Sequence, residues 1–129
     1  HNGGGTDFGT YKNTTDFNGY FNTDKLQAIS AGYNDMMTYV RKQTNSPSTT
    51  CGWFLPSIGQ LIYIKKKYAE IISKSFDKCG GAMGRGWQHH YWSSTEATAA
   101  NSYNINWDSG TYSQKNKSSG SMVRTALAF

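Results

Sequence analysis

The hydrophobic period of this 129-residue chain changes once, and that change limits the folds open to it. Apolar residues recur every three or four positions from residue 26 to residue 76, which is the period of amphipathic helices. Beyond residue 90 apolar and polar residues alternate, which is the period of half-buried strands. Because the helical pattern comes first and the strand pattern follows, the sequence predicts one α+β domain spanning residues 1–129.

The first helix is predicted to begin near Asn22 or Thr23, which are candidate N-cap residues, with Asp24 in its first turn. Residues 1–21 precede it and are rich in Gly, Asn and Thr, so a loop-rich segment is expected there. The apolar stripe of the helix has helical spacing and consists of Leu26, Ile29, Tyr33, Met36, Met37 and Val40. The aromatic residues expected to anchor the loop-rich segment to the core are Tyr11, Phe17, Tyr20 and Phe21.

A short buried strand is predicted over residues 51–55, ended by Pro56. Ser57 and Gln60 have the S-x-x-Q spacing of a capping box, which predicts the start of a second helix. That helix is expected to end near residues 79–81, where glycine can take the left-handed conformation. The residues expected to face inward are Ile58, Leu61, Ile62, Ile64, Tyr68, Ile71, Ile72 and Phe76.

A hairpin and a terminal strand are predicted in the last third of the chain. Residues 103–107 alternate apolar and polar side chains, and the Asp-Ser-Gly sequence at 108–110 is a tight-turn signal leading into residues 111–115. A further alternation predicts a terminal strand docked in the sheet, with Val123, Thr125, Leu127 and Phe129 on one side.

The composition excludes several classes of protein. With 16% charged and 15% aromatic residues, the chain is unlike a disordered segment. No apolar run approaches the ~18 residues of a spanning helix, so no membrane insertion is expected. The chain lacks a signal peptide and opens on HNGGG, so it is expected to be a piece of a longer protein. The net charge is +5, but the lysines of the second helix are interpreted as a solvated face and the other basic residues are scattered, so no nucleic-acid partner is expected. The lysines of this helix are Lys65, Lys66, Lys67, Lys74 and Lys78.

The cysteines and histidines give no metal site. Cys51 and Cys79 are an even pair 28 positions apart, which fits either one disulfide or two buried thiols, and the disulfide is the preferred interpretation. His89 and His90 are adjacent, so on a strand their side chains point apart rather than toward a shared ion.

No arrangement of residues in the sequence indicates catalysis. There is no nucleophile motif and no phosphate-binding glycine loop, so neither enzymatic activity nor a cofactor is expected. Glu96, within WSSTE, is interpreted as a structural acceptor for backbone N–H groups or for Arg124. Residues 93–122 include eight Ser, three Thr and four Asn interleaved with Tyr and Trp, which is the composition of recognition loops such as antibody paratopes.

Four segments together resemble the C-type-lectin-like domains of bacterial collagen-like adhesins, pilus-tip proteins and retroelement-diversified variable proteins. They are GWFLPSIGQL, YWSSTE, GTYS with the nearby Lys117, and VRTALAF, and a D-x-N-G-like sequence stands at residues 16–19. The resemblance implies two helices flanking a small twisted antiparallel sheet with long loops. It also implies a ligand surface formed by the C-terminal segment, with residues 88–122 as the candidate variable region.

In diversified members of that family, mutagenesis of AAC codons yields NNC codons, which encode a restricted set of residues. Gln88, Gln114 and Met122 fall outside that set and are expected to stay constant. The candidate ligand-binding residues within it are His89, His90, Ala97, Thr98, Asn101, Tyr103, Asn104, Asn106, Asp108, Ser109, Thr111, Tyr112, Ser119 and Ser121.

The function implied by the resemblance is non-enzymatic binding of a protein or glycan receptor on another cell. The domain would belong to a bacterial surface or pilus-tip adhesin, attached to a pilus or surface-protein scaffold, and would be extracellular. The alternatives are a phage tail-tip receptor-binding protein, a hydrolase or modifying enzyme on the same fold, and a structural subunit.

Overall fold

The described residues fold into two helices and a small antiparallel sheet, as the α+β prediction requires. Helix α1 spans Gly19–Ala28 and helix α2 spans Ile58–Lys78. Strands β1 (His90–Glu96), β2 (Asn101–Asn106) and β3 (Tyr112–Asn116) form one sheet in the order β1-β2-β3. The structure is a computed structural model that describes residues 7, 9–10, 12–28, 39–40, 52–80 and 89–127.

Helix α1 begins three residues before its predicted cap. Asn22 and Thr23 lie inside the helix and are fully buried, so the prediction that one of them is the N-cap is wrong, and Asp24 lies beyond the first turn. The Thr23 hydroxyl donates to the carbonyl of Gly19 at 2.7 Å and accepts from the backbone N–H of Leu55 at 2.9 Å. These small polar residues therefore bond to another segment of the chain instead of capping their own helix. Of the predicted stripe, Leu26 and Val40 are buried, and Ile29, Tyr33, Met36 and Met37 lie outside the described residues.

The capping box that begins α2 is confirmed. The backbone N–H of Gln60 donates to the Ser57 side chain at 3.4 Å, and the backbone N–H of Ser57 donates to the Gln60 side chain at 2.9 Å. The helix ends at Lys78, and Gly80 follows with φ +70°, the left-handed conformation predicted there. No helix among the described residues has the length and apolar content to cross a membrane.

The buried face of α2 is shorter than the sequence predicts. Ile58 and Leu61 are buried, but Tyr68 and Ile71 are 45% and 63% exposed, so their inward assignment is wrong. A 21-residue helix is about 31 Å long, whereas three strands are about 10 Å wide, so the sheet cannot cover the whole stripe. The remaining residues of the predicted stripe are half-buried: Ile62, Ile64, Ile72 and Phe76.

A core cluster of five buried side chains lies between α2 and the sheet: Ile58, Leu61, Tyr91, Ile105 and Trp107. The other buried apolar side chains of the described residues are Leu26, Val40, Phe54 and Leu55. The rings of Tyr91 and Trp107 pack edge to face with centroids 6.1 Å apart. This contact joins β1 to the end of β2 beneath the helix.

The β2–β3 hairpin is confirmed. β3 begins at Tyr112, opposite Ile105, and Gly110 in the connecting turn has φ +73°. The pairing of β2 with β3 is regular throughout, whereas the pairing of β1 with β2 shifts register between Trp92 and Glu96.

Two predicted strands are replaced by single bridges. Phe54 pairs with Ala126, and Tyr91 pairs with Met122, but neither residues 52–55 nor residues 123–127 form a strand. The C-terminal segment leaves β1 and reaches Phe54 within four residues, so neither pairing can extend. Phe129 and Cys51 lie outside the described residues.

The predicted disulfide stays a prediction, because one of its two cysteines, Cys51, lies outside the described residues. Cys79 is the C-cap residue of α2 and is exposed in this conformation, with its thiol free.

The first turns of the two helices meet with almost no space between them. The backbone N–H of Gly59 donates to the carbonyl of Asp16 at 3.1 Å, and a Cβ at Gly59 would lie 2.3 Å from that oxygen. A Cβ at Gly19 would lie 2.2 Å from Oε1 of Gln60 and 2.8 Å from the backbone nitrogen of Ser57. Both positions therefore need glycine for close approach.

We expect Gly59→Ala to destabilise the domain by about 1–3 kcal/mol, because the added methyl meets a backbone carbonyl that cannot move freely. Alanine in an open helix position would have the opposite effect and stabilise the fold. Gly120→Ala is the control, since a Cβ there meets nothing within 4 Å. Denaturant unfolding of both variants checks the prediction, and equal stability for the two would contradict it.

Candidate functional site

A buried polar group, the Asp16 cluster, consists of Asp16, Asn22, Ser57 and Thr95. Oδ2 of Asp16 accepts from Nδ2 of Asn22 at 2.6 Å and from the Thr95 hydroxyl at 2.8 Å. The backbone carbonyl of Asp16 accepts from the Ser57 hydroxyl at 2.6 Å. The Thr95 hydroxyl also accepts from the backbone N–H of Ile58 at 3.0 Å. Because the carboxylate is 3% exposed and hydrogen-bonded within the fold, the cluster is suited to holding segments together.

A second buried carboxylate, Glu96, forms an ion pair with Lys117. The two side chains are 0% and 5% exposed, and Nζ of Lys117 also donates to the carbonyl of Ala99 at 2.7 Å. The backbone N–H of Thr10 donates to Oε2 of Glu96 at 3.3 Å. The expected role of Glu96 as an acceptor for backbone N–H groups is confirmed. The guanidinium of Arg124 lies over the rings of Phe76 and Tyr91, at 4.9 and 5.9 Å from their centroids.

The candidate ligand-binding residues are divided between two ends of the sheet. β2 runs from Asn101 to Asn106, a distance of about 17 Å. One small ligand therefore cannot contact both ends. The loop end carries Ala97, Thr98, Asn101 and Ser119; the turn end carries His89, His90, Asn106, Asp108, Ser109, Thr111 and Tyr112; Tyr103, Asn104 and Ser121 lie between them.

Local hydrogen bonds hold the turn end in one conformation. Oδ1 of Asn106 accepts from the backbone N–H groups of Asp108 and Ser109 at 2.9 and 3.2 Å. The hydroxyls of Ser109 and Thr111 lie 2.7 Å apart. Nδ1 of His89 forms an ion-pair contact with Oδ1 of Asp108, which ties the turn to the residue preceding β1.

Beside the turn, His90 lies between two asparagines on the face of the sheet opposite the core. Its Nδ1 is 3.4 Å from Nδ2 of Asn104, and its Nε2 is 3.5 Å from Nδ2 of Asn106. Oδ1 of Asn104 accepts from the Ser113 hydroxyl at 2.7 Å, and its Nδ2 lies 3.5 Å from the Ser121 hydroxyl. Polar side chains from β1, β2, β3 and the segment after β3 thus bond to one another on this face.

Two candidate residues are too deeply buried to contact a ligand in this conformation. Asn104 is 1% exposed and His89 is 8% exposed. The alternation along β2 places Asn104 correctly on the face away from the core. The segment after β3 crosses that face and covers it, because Nζ of Lys115 donates to the carbonyl of Gly120 at 2.7 Å and Ser121 lies over Asn104.

The other candidates reach the surface to different degrees. Tyr112 is 48% exposed and packs edge to face on Tyr103 with centroids 6.2 Å apart. Those that are exposed are Thr98, Asp108, Ser109, Thr111 and Tyr112, and those that are half-buried are His90, Ala97, Asn101, Tyr103, Asn106, Ser119 and Ser121.

Sequence reasoning missed one concave feature, an apolar groove of about 200 Å³ that contains none of the candidate residues. Phe17, expected to be a core anchor, is 54% exposed at this groove and packs on Tyr63 with centroids 6.1 Å apart. Tyr20 and Phe21 are likewise 40% and 50% exposed, and Tyr11 lies outside the described residues. The lining residues are Phe17, Phe54, Pro56, Gln60, Tyr63, Ile64, Ala126 and Leu127.

Comparison with known proteins adds no family to these observations. The chain matches no protein-family model, no curated protein and no solved structure. Among the described residues no group of three or more His, Cys, Asp or Glu side chains could hold a metal ion.

We expect Lys117→Met to lower stability by about 3–5 kcal/mol, because it leaves the buried Glu96 carboxylate without its cation. The double variant Glu96→Gln/Lys117→Met should recover much of that loss, since the glutamine is neutral and still accepts from Thr10. Denaturant unfolding of the single and double variants measures the coupling. A double variant no more stable than Lys117→Met would contradict the assigned ion pair.

Proposed function

We propose that this chain is a C-type-lectin-like recognition domain without enzymatic activity, of the kind carried by bacterial surface and pilus-tip adhesins. Its ligand would be a receptor on another cell, and its binding surface would be the turn end of the sheet. In this proposal the domain works outside the cell, and the exposed turn-end residues Ser109, Thr111 and Tyr112 are those open to diversification.

The observation that carries the proposal is the contrast between a buried polar frame and an exposed polar surface on the same sheet. Residues 93–96 are at most 4% exposed, and the side chains of Thr95 and Glu96 bond to other segments of the chain. Ser109, Thr111 and Tyr112 at the other end are exposed and bond mainly within the turn. Substitutions in the exposed turn can therefore change recognition without breaking the frame.

The two ends of the sheet differ in how freely they can vary. At the loop end, Ala97 and Asn101 pair through their backbones at 3.0 Å, and the adjoining Ala99 carbonyl accepts from Lys117 of the buried ion pair. The loop end therefore lies directly beside the buried Glu96–Lys117 pair that the fold needs. At the turn end, Asn106 accepts from two backbone N–H groups of the turn, and these two bonds do not involve the side chains at 109 and 111. This favours the turn end as the ligand surface.

The turn end also has the physical properties of a recognition surface. Its conformation is held by local bonds before any ligand arrives, which lowers the entropy cost of binding. The Tyr103–Tyr112 pair offers a large contact area with few rotatable bonds, and the neighbouring hydroxyls offer adaptable donors and acceptors.

We expect the triple variant Ser109→Ala/Thr111→Ala/Tyr112→Ala to lose about tenfold or more in receptor affinity while remaining folded, because the three side chains are exposed and none of them contacts the Asp16 cluster or the Glu96–Lys117 pair. The measurement is binding of fluorescent tetramers to a glycan array and to panels of bacterial and animal cells, together with thermal unfolding. The matched control is Lys66→Ala/Lys67→Ala/Lys74→Ala on exposed α2. No binding by the wild type, or equal binding by both variants, would argue against the proposal.

Diversification has a separate test in natural sequence variation. Sequencing this gene and its flanking DNA in many isolates should show substitutions at AAC-derived codons for Ser109, Thr111 and Tyr112, with residues 93–96 unchanged. A near-identical template copy nearby is the expected source of that variation. An invariant segment with no template would leave a domain with one fixed ligand and would remove the diversification from the proposal.

A further inference from the structure

Along the outer edge of β3, some backbone groups have no partner among the described residues. The bonds from Asn106 N–H to the Thr111 carbonyl at 2.7 Å and from Lys117 N–H to the Ala100 carbonyl at 3.0 Å fix the alternation along the β2–β3 ladder. Ser113 and the other odd-numbered residues of β3 then face β2. The backbone N–H and C=O groups of Tyr112 and Gln114 point away from the sheet, and no described residue pairs with them.

This edge lacks the features that usually prevent strand pairing. β3 contains no proline and no bulge, and all five of its residues pair regularly with β2. The one lysine in β3, Lys115, does not block strand pairing at this edge. Its Nζ donates to the carbonyl of Gly120 at 2.7 Å and lies 3.3 Å from the Ser121 hydroxyl. Exposed sheet edges in natural proteins are normally blocked by such charges, so an open one indicates a use.

The side chains next to the edge would shape what pairs with it. Tyr112 is 48% exposed on one face, and the Ser113 hydroxyl lies on the other. Two lysines lie close by: Lys115 is within β3, and the Lys65 side chain comes within 3.6 Å of a Cβ built at Gly110. With a net charge of +5, a second copy of this chain would be repelled, whereas a neutral or acidic strand would be attracted.

We propose that the β3 edge pairs with an extended, neutral or acidic segment of a receptor polypeptide, which adds a fourth strand to the sheet. The inference rests on the proposed recognition function and assigns its ligand class as protein. Tyr112 and Gln114 would each donate one backbone N–H and offer one carbonyl. Since backbone pairing is independent of side chains, it gives a fixed anchor beside the variable residues Thr111 and Tyr112.

The test compares two substitutions at one position. Gln114→Pro removes the outward N–H without touching the ladder to β2, because proline is tolerated where an edge N–H faces solvent. Gln114→Ala removes the side chain and keeps the N–H. Linear peptides selected on the wild-type domain from a phage-displayed random library are the probe. They should bind Gln114→Ala as well as the wild type and bind Gln114→Pro about tenfold or more weakly, the loss expected for one backbone hydrogen bond.

A measurement on the unsubstituted domain covers the case in which Gln114→Pro fails to fold. Adding a selected peptide should slow hydrogen exchange at the amides of Tyr112 and Gln114, with Thr98 at the other end of the sheet unchanged. No selected peptide, equal binding to Gln114→Pro, or unchanged exchange would overturn the proposal. A wild-type dimer in sedimentation that Gln114→Pro abolishes would also overturn it, because a second copy would then occupy the edge. Cell binding lost in the turn-end triple variant but kept in Gln114→Pro would overturn strand pairing and leave the recognition function standing.

Discussion

The buried carboxylate of Asp16 is the point on which the described fold depends. Its side chain and its backbone carbonyl bond to α1 through Asn22, to the start of α2 through Ser57, and to β1 through Thr95. A buried charge is stable only when its hydrogen bonds are satisfied, so these segments must arrive together. The glycines at 19 and 59 give them room, because side chains there would overlap neighbouring polar atoms. Three of the motifs used to interpret the sequence, at 16–19, 53–61 and 91–96, meet at this cluster.

This arrangement explains how a chain with nine buried apolar side chains in its described part can specify one structure. Apolar burial is non-directional and sets compactness, whereas hydrogen bonds to a buried carboxylate demand defined distances and angles. Glu96 is a second buried carboxylate with satisfied partners. Through its contacts with Thr10 and Lys117 it holds the N-terminal segment and the segment after β3 against β1. The stability of the fold is therefore sensitive to substitution at these positions, because the loss of one partner leaves a buried polar group without a hydrogen bond.

Sequence alone predicted those elements whose signals are local. The Ser57 capping box, the glycine after α2 and the β2–β3 turn each depend on residues within four positions of one another, and each is confirmed. Sequence-based prediction failed where hydrogen-bond partners are distant in the chain. Thr23 looks like a cap but bonds to residue 55, and the terminal alternation became two bridges. The alternation along β2 predicted which face of the sheet Asn104 lies on. It did not predict that the segment after β3 crosses that face and buries Asn104.

The buried polar residues 93–96 and the exposed turn end lie at opposite ends of the sheet, and this separation determines which residues can change. β1 carries Thr95 and Glu96 at one end and His90 at the other, about 20 Å away. Substitutions separated by more than about 10 Å, with no shared partner, have nearly independent effects on stability. The turn end meets this condition with respect to the Asp16 cluster. The loop end does not, because Ala99 accepts from the lysine that neutralises Glu96. A binding surface that must tolerate many sequences therefore belongs at the turn end, where the backbone is held by Asn106 and the neighbouring side chains are not needed by the frame.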